Sequence, residues 1–103
     1  MIIVYSTFPS KEQALDVCKK LLEEKLIACF NVFPVNSAYW WQGKIAEDNE
    51  FSAILKTAKL KEREVFQRLK ELHPYSVPAI FSIEIREVDE DYNQWLEEAM
   101  KKT

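Results

Sequence analysis

The chain has 103 residues, 48% of them apolar and 30% charged, which is the composition of one globular domain, residues 1–103, with a single core. Its formal net charge of −3 argues against nucleic acid and anionic membranes as partners, since both favour a basic surface. No apolar run approaches a spanning length, and the opening Met1–Val4 is too short for a signal peptide, so the expected compartment is the cytoplasm.

The first third of the chain predicts a strand followed by a helix. Ile2–Tyr5 is short, apolar and β-branched, as is typical of a central strand. Ser10 and Gln13 have the spacing of a capping box. The helix that follows should end near Lys25 or Leu26 without a glycine cap. Its apolar stripe consists of Ala14, Cys18, Leu21 and Leu22.

The middle of the chain predicts a long β-hairpin that turns at Gly43, the only glycine. A two-residue turn at Gly43-Lys44 would pair Asn31 with Lys56. Pro34 cannot donate to a strand ladder, so a bulge or bend is expected there. Trp40 and Trp41 point to opposite faces of a strand, so they cannot both enter the core beneath one sheet.

The last third predicts a helix over about Leu60–Leu72, ended by His73-Pro74 because the residue before proline avoids helical angles. Pro78 opens a last strand, and Asp89 can cap a terminal helix. In that strand the expected core side chains are Ala79, Phe81, Ile83 and Ile85, with Ser82, Glu84 and Arg86 facing away.

This order of elements predicts an α+β fold, a ferredoxin-like βαββαβ sandwich with a long hairpin between the second and third strands and an extra C-terminal helix. Both crossover helices cover one face of the sheet and leave the other open. That open face is too apolar for solvent, so self-association is expected. Its expected members are Cys29, Asn31, Ile54, Lys56, Ile80 and one tryptophan.

Five strings in order resemble the CutA divalent-cation tolerance family: Ala28-Cys29-x-Asn31, Tyr39-Trp40-Trp41-x-Gly43-Lys44-Ile45, Lys56-Thr57, Leu72-His73-Pro74-Tyr75-x-x-Pro78 and Tyr92-x-x-Trp95. The resemblance runs the whole chain. It implies a ferredoxin-like protomer, a tight homotrimer, and a cytoplasmic protein linked to copper and other divalent metal ions. It does not imply a well-understood chemistry. We expect a protein that is not an enzyme and has no obligatory cofactor, with at most a weakly bound divalent metal such as copper.

His73 is the sharpest metal candidate, because imidazole is a good ligand for copper. The alternative is that it only ends a helix, where a cation is favourable. The resemblance implies that copper-binding members of the family have a cysteine and a second histidine at two positions near the metal. This chain has Ser6 and Leu72 at those positions. One ligand in an exposed helix-end setting predicts weak copper binding.

Enzymatic chemistry has little support in the sequence. One glycine excludes a phosphate-binding loop, and one histidine leaves a single candidate base. Cys29 and His73 are the only candidates for a nucleophile and its base, and a structural thiol is the alternative for Cys29.

Lys56 is unusual because it stands in an apolar strand, where a lysine is costly unless it is paired. The alternative function is therefore a trimeric sensor that binds an anionic effector in clefts between subunits near Lys56 and His73, with Tyr75, Trp41 and Cys29 as further ligand-binding residues. The competing interpretation of Lys56 is an ion pair with Glu84 or another acidic residue at a subunit boundary. The acidic hairpin flank, Glu47, Asp48 and Glu50, is expected to be solvated or to collect divalent ions weakly.

Overall fold

Four strands form one antiparallel sheet in the order β2-β3-β1-β4, and the computed structural model describes residues 1–101. The elements in chain order are β1 (Ile2–Phe8), α1 (Lys11–Glu23), β2 (Cys29–Trp41), β3 (Lys44–Thr57), a 3-10 turn (Lys59–Lys61), α2 (Glu62–Leu72), β4 (Phe81–Glu84) and α3 (Glu90–Met100). The predicted α+β, ferredoxin-like architecture is confirmed.

The core lies between the sheet and the two crossover helices. Burial alternates strictly along β1, so every second side chain points under the helices. Cys18 of α1 is fully buried there, and burial raises the pKa of its thiol to about 12. It is therefore a small core residue, as predicted. The buried cluster comprises Ile2, Val4, Phe8, Ala14, Val17, Cys18, Leu21, Leu26, Ile27, Ala53, Leu55, Val65 and Leu69.

Helix α1 has the predicted start and an end without glycine. The Ser10 hydroxyl accepts from the Gln13 amide at 3.2 Å. At the other end Lys25 adopts a left-handed φ of 60°. This lets the Leu26 amide donate to the Leu21 carbonyl at 3.0 Å, as in a Schellman motif. Lysine thus takes a position that glycine usually occupies.

The predicted end of α2 and start of α3 are confirmed, whereas α2 begins at Glu62, after the 3-10 turn, rather than at about Leu60. His73 is extended, with ψ of 135°, and ends α2 just before Pro74. The Asp89 side chain accepts from the Tyr92 amide at 3.2 Å and starts α3.

The hairpin turns one residue earlier than predicted. Gln42 and Gly43 both have positive φ, 50° and 77°, which is the pattern of a type I′ turn. Lys56 therefore pairs with Cys29 rather than with Asn31, the predicted partner. A shift of two residues keeps every side chain on its predicted face, because strand faces alternate with a period of two.

The predicted bulge at Pro34 is wrong. The pairing of β2 with β3 continues without interruption through Pro34 and Phe51. Strand β2 lies at the edge of the sheet, where a residue without an N–H is tolerated if its nitrogen points away from the neighbouring strand.

The predicted faces of the last strand are reversed. Phe81 and Ile83 pair with Tyr5 and Ile3 of β1 on the open face, and they are 47% and 50% exposed. Ile80 was expected on the open face but packs against the core. The strand also starts later than Pro78 and ends at Glu84.

Helix α2 and the turn before it explain the reversal. Ser82 lies on the helix side and donates to Glu62 at 2.6 Å. Glu84 lies within 3.4 Å of Lys59. Ser82 and Glu84 therefore lie on the side of the sheet that carries α2, and strand alternation places Phe81 and Ile83 on the open face.

Neither hairpin tryptophan is buried within the chain. Trp40 is 74% exposed and Trp41 62% exposed. They lie on opposite faces, since Trp40 pairs with Ile45 and Trp41 with Lys44. The long hairpin extends the molecule to 46 Å along one axis, against 26 and 22 Å along the others.

Candidate functional site

A cleft of about 560 Å³ lies between the hairpin and the segment 75–79. Its floor is the open face of the sheet, because five of the six hairpin residues that line it lie on that face: Ser37, Tyr39, Trp41, Asp48 and Glu50. Strand β4 starts only opposite Tyr5, which leaves the last residues of β1 without a neighbour on that side. The lining residues are Thr7, Ser37, Ala38, Tyr39, Trp41, Asp48, Glu50, Tyr75, Ser76, Val77 and Ala79.

Two carboxylates in the cleft each accept a hydrogen bond from a tyrosine. Tyr75 donates to Oε2 of Glu50 at 2.6 Å, and Tyr39 donates to Asp48. Burial, and then the bond to Glu50, raise the pKa of Tyr75 above its ordinary value. Glu50 is only 9% exposed. The phenols therefore stay protonated and act as fixed donors to the carboxylates.

His73 lies behind the cleft wall on the helix side of the sheet. It is 9% exposed and stacks on Phe8, with ring centroids 4.4 Å apart. Its Nδ1 accepts from the Tyr75 amide at 3.1 Å, so the proton is on Nε2, which lies 2.9 Å from the Ser6 hydroxyl. The expectation that His73 is exposed at the end of a helix is wrong. The segment after α2 places the imidazole ring beneath β1, where it is buried.

The structure brings two of the predicted site residues together and separates the rest. Trp41 and Tyr75 line the same cleft. Cys29 and Lys56 form a cross-strand pair at the far end of the hairpin. Lys56 is six residues beyond the cleft residue Glu50, or roughly 20 Å along an extended strand.

Lys56 is half-buried, and its ammonium lies 5.8 Å from the centroid of the Tyr92 ring. That contact is the cation–π kind. Within residues 1–101 Glu84 pairs with Lys59 rather than with Lys56. An ion pair of Lys56 across a subunit boundary stays a prediction.

Cys29 and His73 do not form a nucleophile-base pair in this chain. Cys29 lies half-buried on the open face, whereas His73 lies on the helix side against Ser6. The sheet separates them. Across the described range 1–101 there is also no group of three or more histidine, cysteine, aspartate or glutamate side chains able to hold a metal ion.

Glu50 is the residue that sequence reasoning underrated, since it was treated as part of a solvated acidic flank. The signal was available in the strand alternation, which places Glu50 on the same face as Ser52 and Ile54. The pairing with Tyr75 was not available, because the path of the segment after α2 follows from tertiary packing.

The buried imidazole predicts a stability that depends on pH. Burial lowers the pKa of His73 in the folded chain, so below its ordinary value of about 6.5 the unfolded chain binds more protons. The neutral imidazole makes its full contribution to the free energy of unfolding above that pH. This contribution is lost as the pH falls through the lowered pKa of His73 in the folded chain. We expect the free energy of unfolding to drop between pH 7.5 and 5.5, by at most about 1.4 kcal/mol per pH unit.

Guanidinium denaturation at fixed protein concentration measures this slope, with His73→Gln as the variant that cannot titrate. The variant should be less stable at pH 7.5 but flatter with pH. An equal slope in both proteins would show that other groups carry the dependence.

Comparison with known proteins matches residues 2–99 to the family described as CutA1 divalent ion tolerance protein. The divalent-cation tolerance protein CutA of Thermotoga maritima is 51% identical over 100 residues, covering 97% of this chain and 99% of its own. The protein of the same name from Pyrococcus horikoshii is 55% identical over 102 residues, covering 99% of this chain and 100% of its own.

Solved structures agree with the fold. The crystal structure of CutA1 from Pyrococcus horikoshii superposes with a TM-score of 0.95 at 54% identity, covering 99% of this chain and 100% of that one. A protein from Archaeoglobus fulgidus, described as a periplasmic divalent cation tolerance protein, gives 0.94 at 40% identity, covering 98% and 100%.

No helix within residues 1–101 has the length and apolar character needed to cross a membrane. The family match spans nearly all of the chain, and relatives above 50% identity match it over their full length. This chain belongs to the CutA1 divalent ion tolerance family.

Proposed function

We propose that this chain acts in divalent-cation tolerance as a non-enzymatic homotrimer that binds copper weakly. The observation that supports it most is the open face of the sheet. Tyr5 stacks on Phe81 there, with ring centroids 5.1 Å apart, and Ile83 is half exposed beside them. A continuous apolar surface of this kind is characteristic of an interface.

The hairpin adds a second surface for assembly. Trp40 and its cross-strand partner Ile45 are 74% and 65% exposed. Strand β2 is 13 residues long and lies at the edge of the sheet, so its outward backbone groups have no neighbouring strand among residues 1–101. Long, exposed apolar edges aggregate unless they are covered. We propose that other copies of the chain cover these surfaces. The resemblance to the CutA family is the reason for expecting a trimer.

The chemistry of the cleft supports a role without catalysis. Its two carboxylates already accept hydrogen bonds from tyrosines, and the single histidine is buried behind the wall. A general base needs access to substrate and a pKa near the working pH. The single histidine, whose ordinary pKa is nearest to neutral pH, does not line the cleft.

Weak copper binding follows from the state of His73. Both ring nitrogens have hydrogen-bond partners, the Tyr75 amide and the Ser6 hydroxyl. A metal ion must displace one of them, and no second imidazole or thiolate lies beside the ring, since Ser6 takes the place of the family's cysteine. Any stronger site needs ligands from several subunits.

The alternative of an anionic effector has less support. The cleft contains Asp48 and Glu50 and no lysine, arginine or histidine in its lining, so it repels anions. Lys56 lies at the other end of the hairpin. An anionic ligand would have to bind where Lys56 meets another subunit.

We also propose a cytoplasmic location. Both cysteines are free, and Cys29 is only half-buried, which suits a reducing compartment. The relative from Archaeoglobus fulgidus is described as periplasmic, so the compartment can differ within the family.

The first test of the proposal is the assembly. Sedimentation equilibrium at micromolar concentration should give three times the chain mass of 12.2 kDa. The unfolding midpoint should rise with protein concentration, because dissociation is linked to unfolding. Phe81→Lys places a charge on the open face and should lower the assembly mass.

The matched control is Leu60→Lys, which adds the same charge at a residue that is 82% exposed and outside the sheet. It should leave the trimer intact. A wild-type protein that sediments as a monomer, or a Phe81→Lys variant that stays trimeric, contradicts the proposed interface.

The second test is copper titration by calorimetry. Wild-type affinity for Cu²⁺ should be no tighter than about micromolar, and it should weaken as the pH falls, because the imidazole takes up a proton and ceases to be a ligand. His73→Ala should remove most of it. Because the Ser6 hydroxyl is 2.9 Å from Nε2, Ser6→Cys places a thiol beside the imidazole and should tighten binding at least tenfold.

Nanomolar binding by the wild type, or binding that is undiminished in His73→Ala, would place the copper site elsewhere. Leu72→Ala, at the neighbouring position, controls for loosening of the end of α2. It should bind Cu²⁺ as weakly as the wild type.

A further inference from the structure

The cleft combines aromatic walls with negative charge. Tyr39, Trp41 and Tyr75 contribute rings, and Asp48 and Glu50 contribute carboxylates. Apolar side chains at Ala38, Val77 and Ala79 complete the lining. The combination favours a ligand with a positive charge on an apolar body.

Glu50 has an acceptor left over inside the cleft. Its side chain is about nine-tenths buried, and Tyr75 bonds only Oε2. No hydrogen bond reaches Oε1 from residues 1–101, and no side-chain oxygen in that range is both sealed from solvent and without a partner. Oε1 is therefore accessible to solvent, and Glu50 is one of the residues that line the cleft.

We propose that the cleft binds a small organic cation, a molecule with a quaternary ammonium, amine or guanidinium group. The positive group lies against Trp41 and Tyr75 and within reach of Oε1 of Glu50. Ring faces carry negative potential and attract such cations, most strongly at tryptophan. A carboxylate that is largely removed from water gains most from a cation placed beside it.

Size and ligand geometry distinguish this site from a metal site. A volume of about 560 Å³ is in the range for small-molecule pockets and far exceeds a single ion. No three metal-ligating side chains converge within the described chain. Divalent ions also prefer more oxygen ligands than two carboxylates held by phenols supply. All the residues that line the cleft belong to one chain, and the proposed site does not require bound copper.

Choline is the probe, and 3,3-dimethyl-1-butanol is its neutral isostere. The measurement is the indole N–H signal of Trp41 in ¹⁵N NMR spectra, identified from a Trp41→Phe variant, with Trp95 as an indole outside the cleft. Choline should shift the Trp41 signal with saturation and leave Trp95 unchanged. The neutral isostere should bind at least roughly tenfold more weakly.

Glu50→Gln keeps an acceptor for Tyr75 but removes the charge, and it should weaken choline binding by roughly tenfold. Glu47→Gln removes the same charge from the same strand outside the cleft lining and should have no effect. Trp41→Ala removes the reporter indole, so choline binding to this variant is measured by isothermal titration calorimetry beside the wild type, and it should be several-fold weaker.

Equal binding of the two isosteres, or binding unchanged in both Glu50→Gln and Trp41→Ala, overturns the proposal. A saturating shift with calcium chloride that choline does not reproduce would make the cleft an inorganic-cation site. Cleft signals that change with protein concentration and not with choline would mean that another copy of the chain fills it.

Discussion

The central constraint on this molecule is a sheet with helices on only one side. Helices α1 and α2 cover the face that carries Ile2, Val4 and Phe8, and this face holds the buried core. The opposite face is also apolar, but the described part of the chain, residues 1–101, provides no second layer over it. A sheet of four strands that is apolar on both faces needs a packed layer against each face. Trp41 and most of the residues that line the cleft lie on this uncovered side.

Strand alternation made most of the fold predictable. Apolar periodicity and capping residues located the three helices, and the lone glycine located the hairpin turn within one residue. The failures have physical reasons. Phe81 and Ile83 were assigned to the core because they are apolar, yet Ser82 and Glu84 found partners near α2. Alternation shows which residues share a face but not which face is buried.

The candidate site was less predictable than the fold. Trp41 and Tyr75 were expected to bind ligand and do share a cleft, but Cys29 and Lys56 lie at the far end of the hairpin. His73 was expected to be exposed, and its burial depends on how the segment after α2 passes under β1. Such crossings are set by tertiary contacts. A sequence pattern read element by element does not contain them.

Covering of the open face by other copies is tested most directly by hydroxyl-radical footprinting with mass spectrometry. Phe81 and Ile83 are half exposed in the single chain, whereas Leu60 is 82% exposed. After correction for intrinsic reactivity, we expect Phe81 and Ile83 to be strongly protected and Leu60 to be labelled freely. Labelling of Phe81 and Ile83 in proportion to their exposure in the single chain would contradict a covered face.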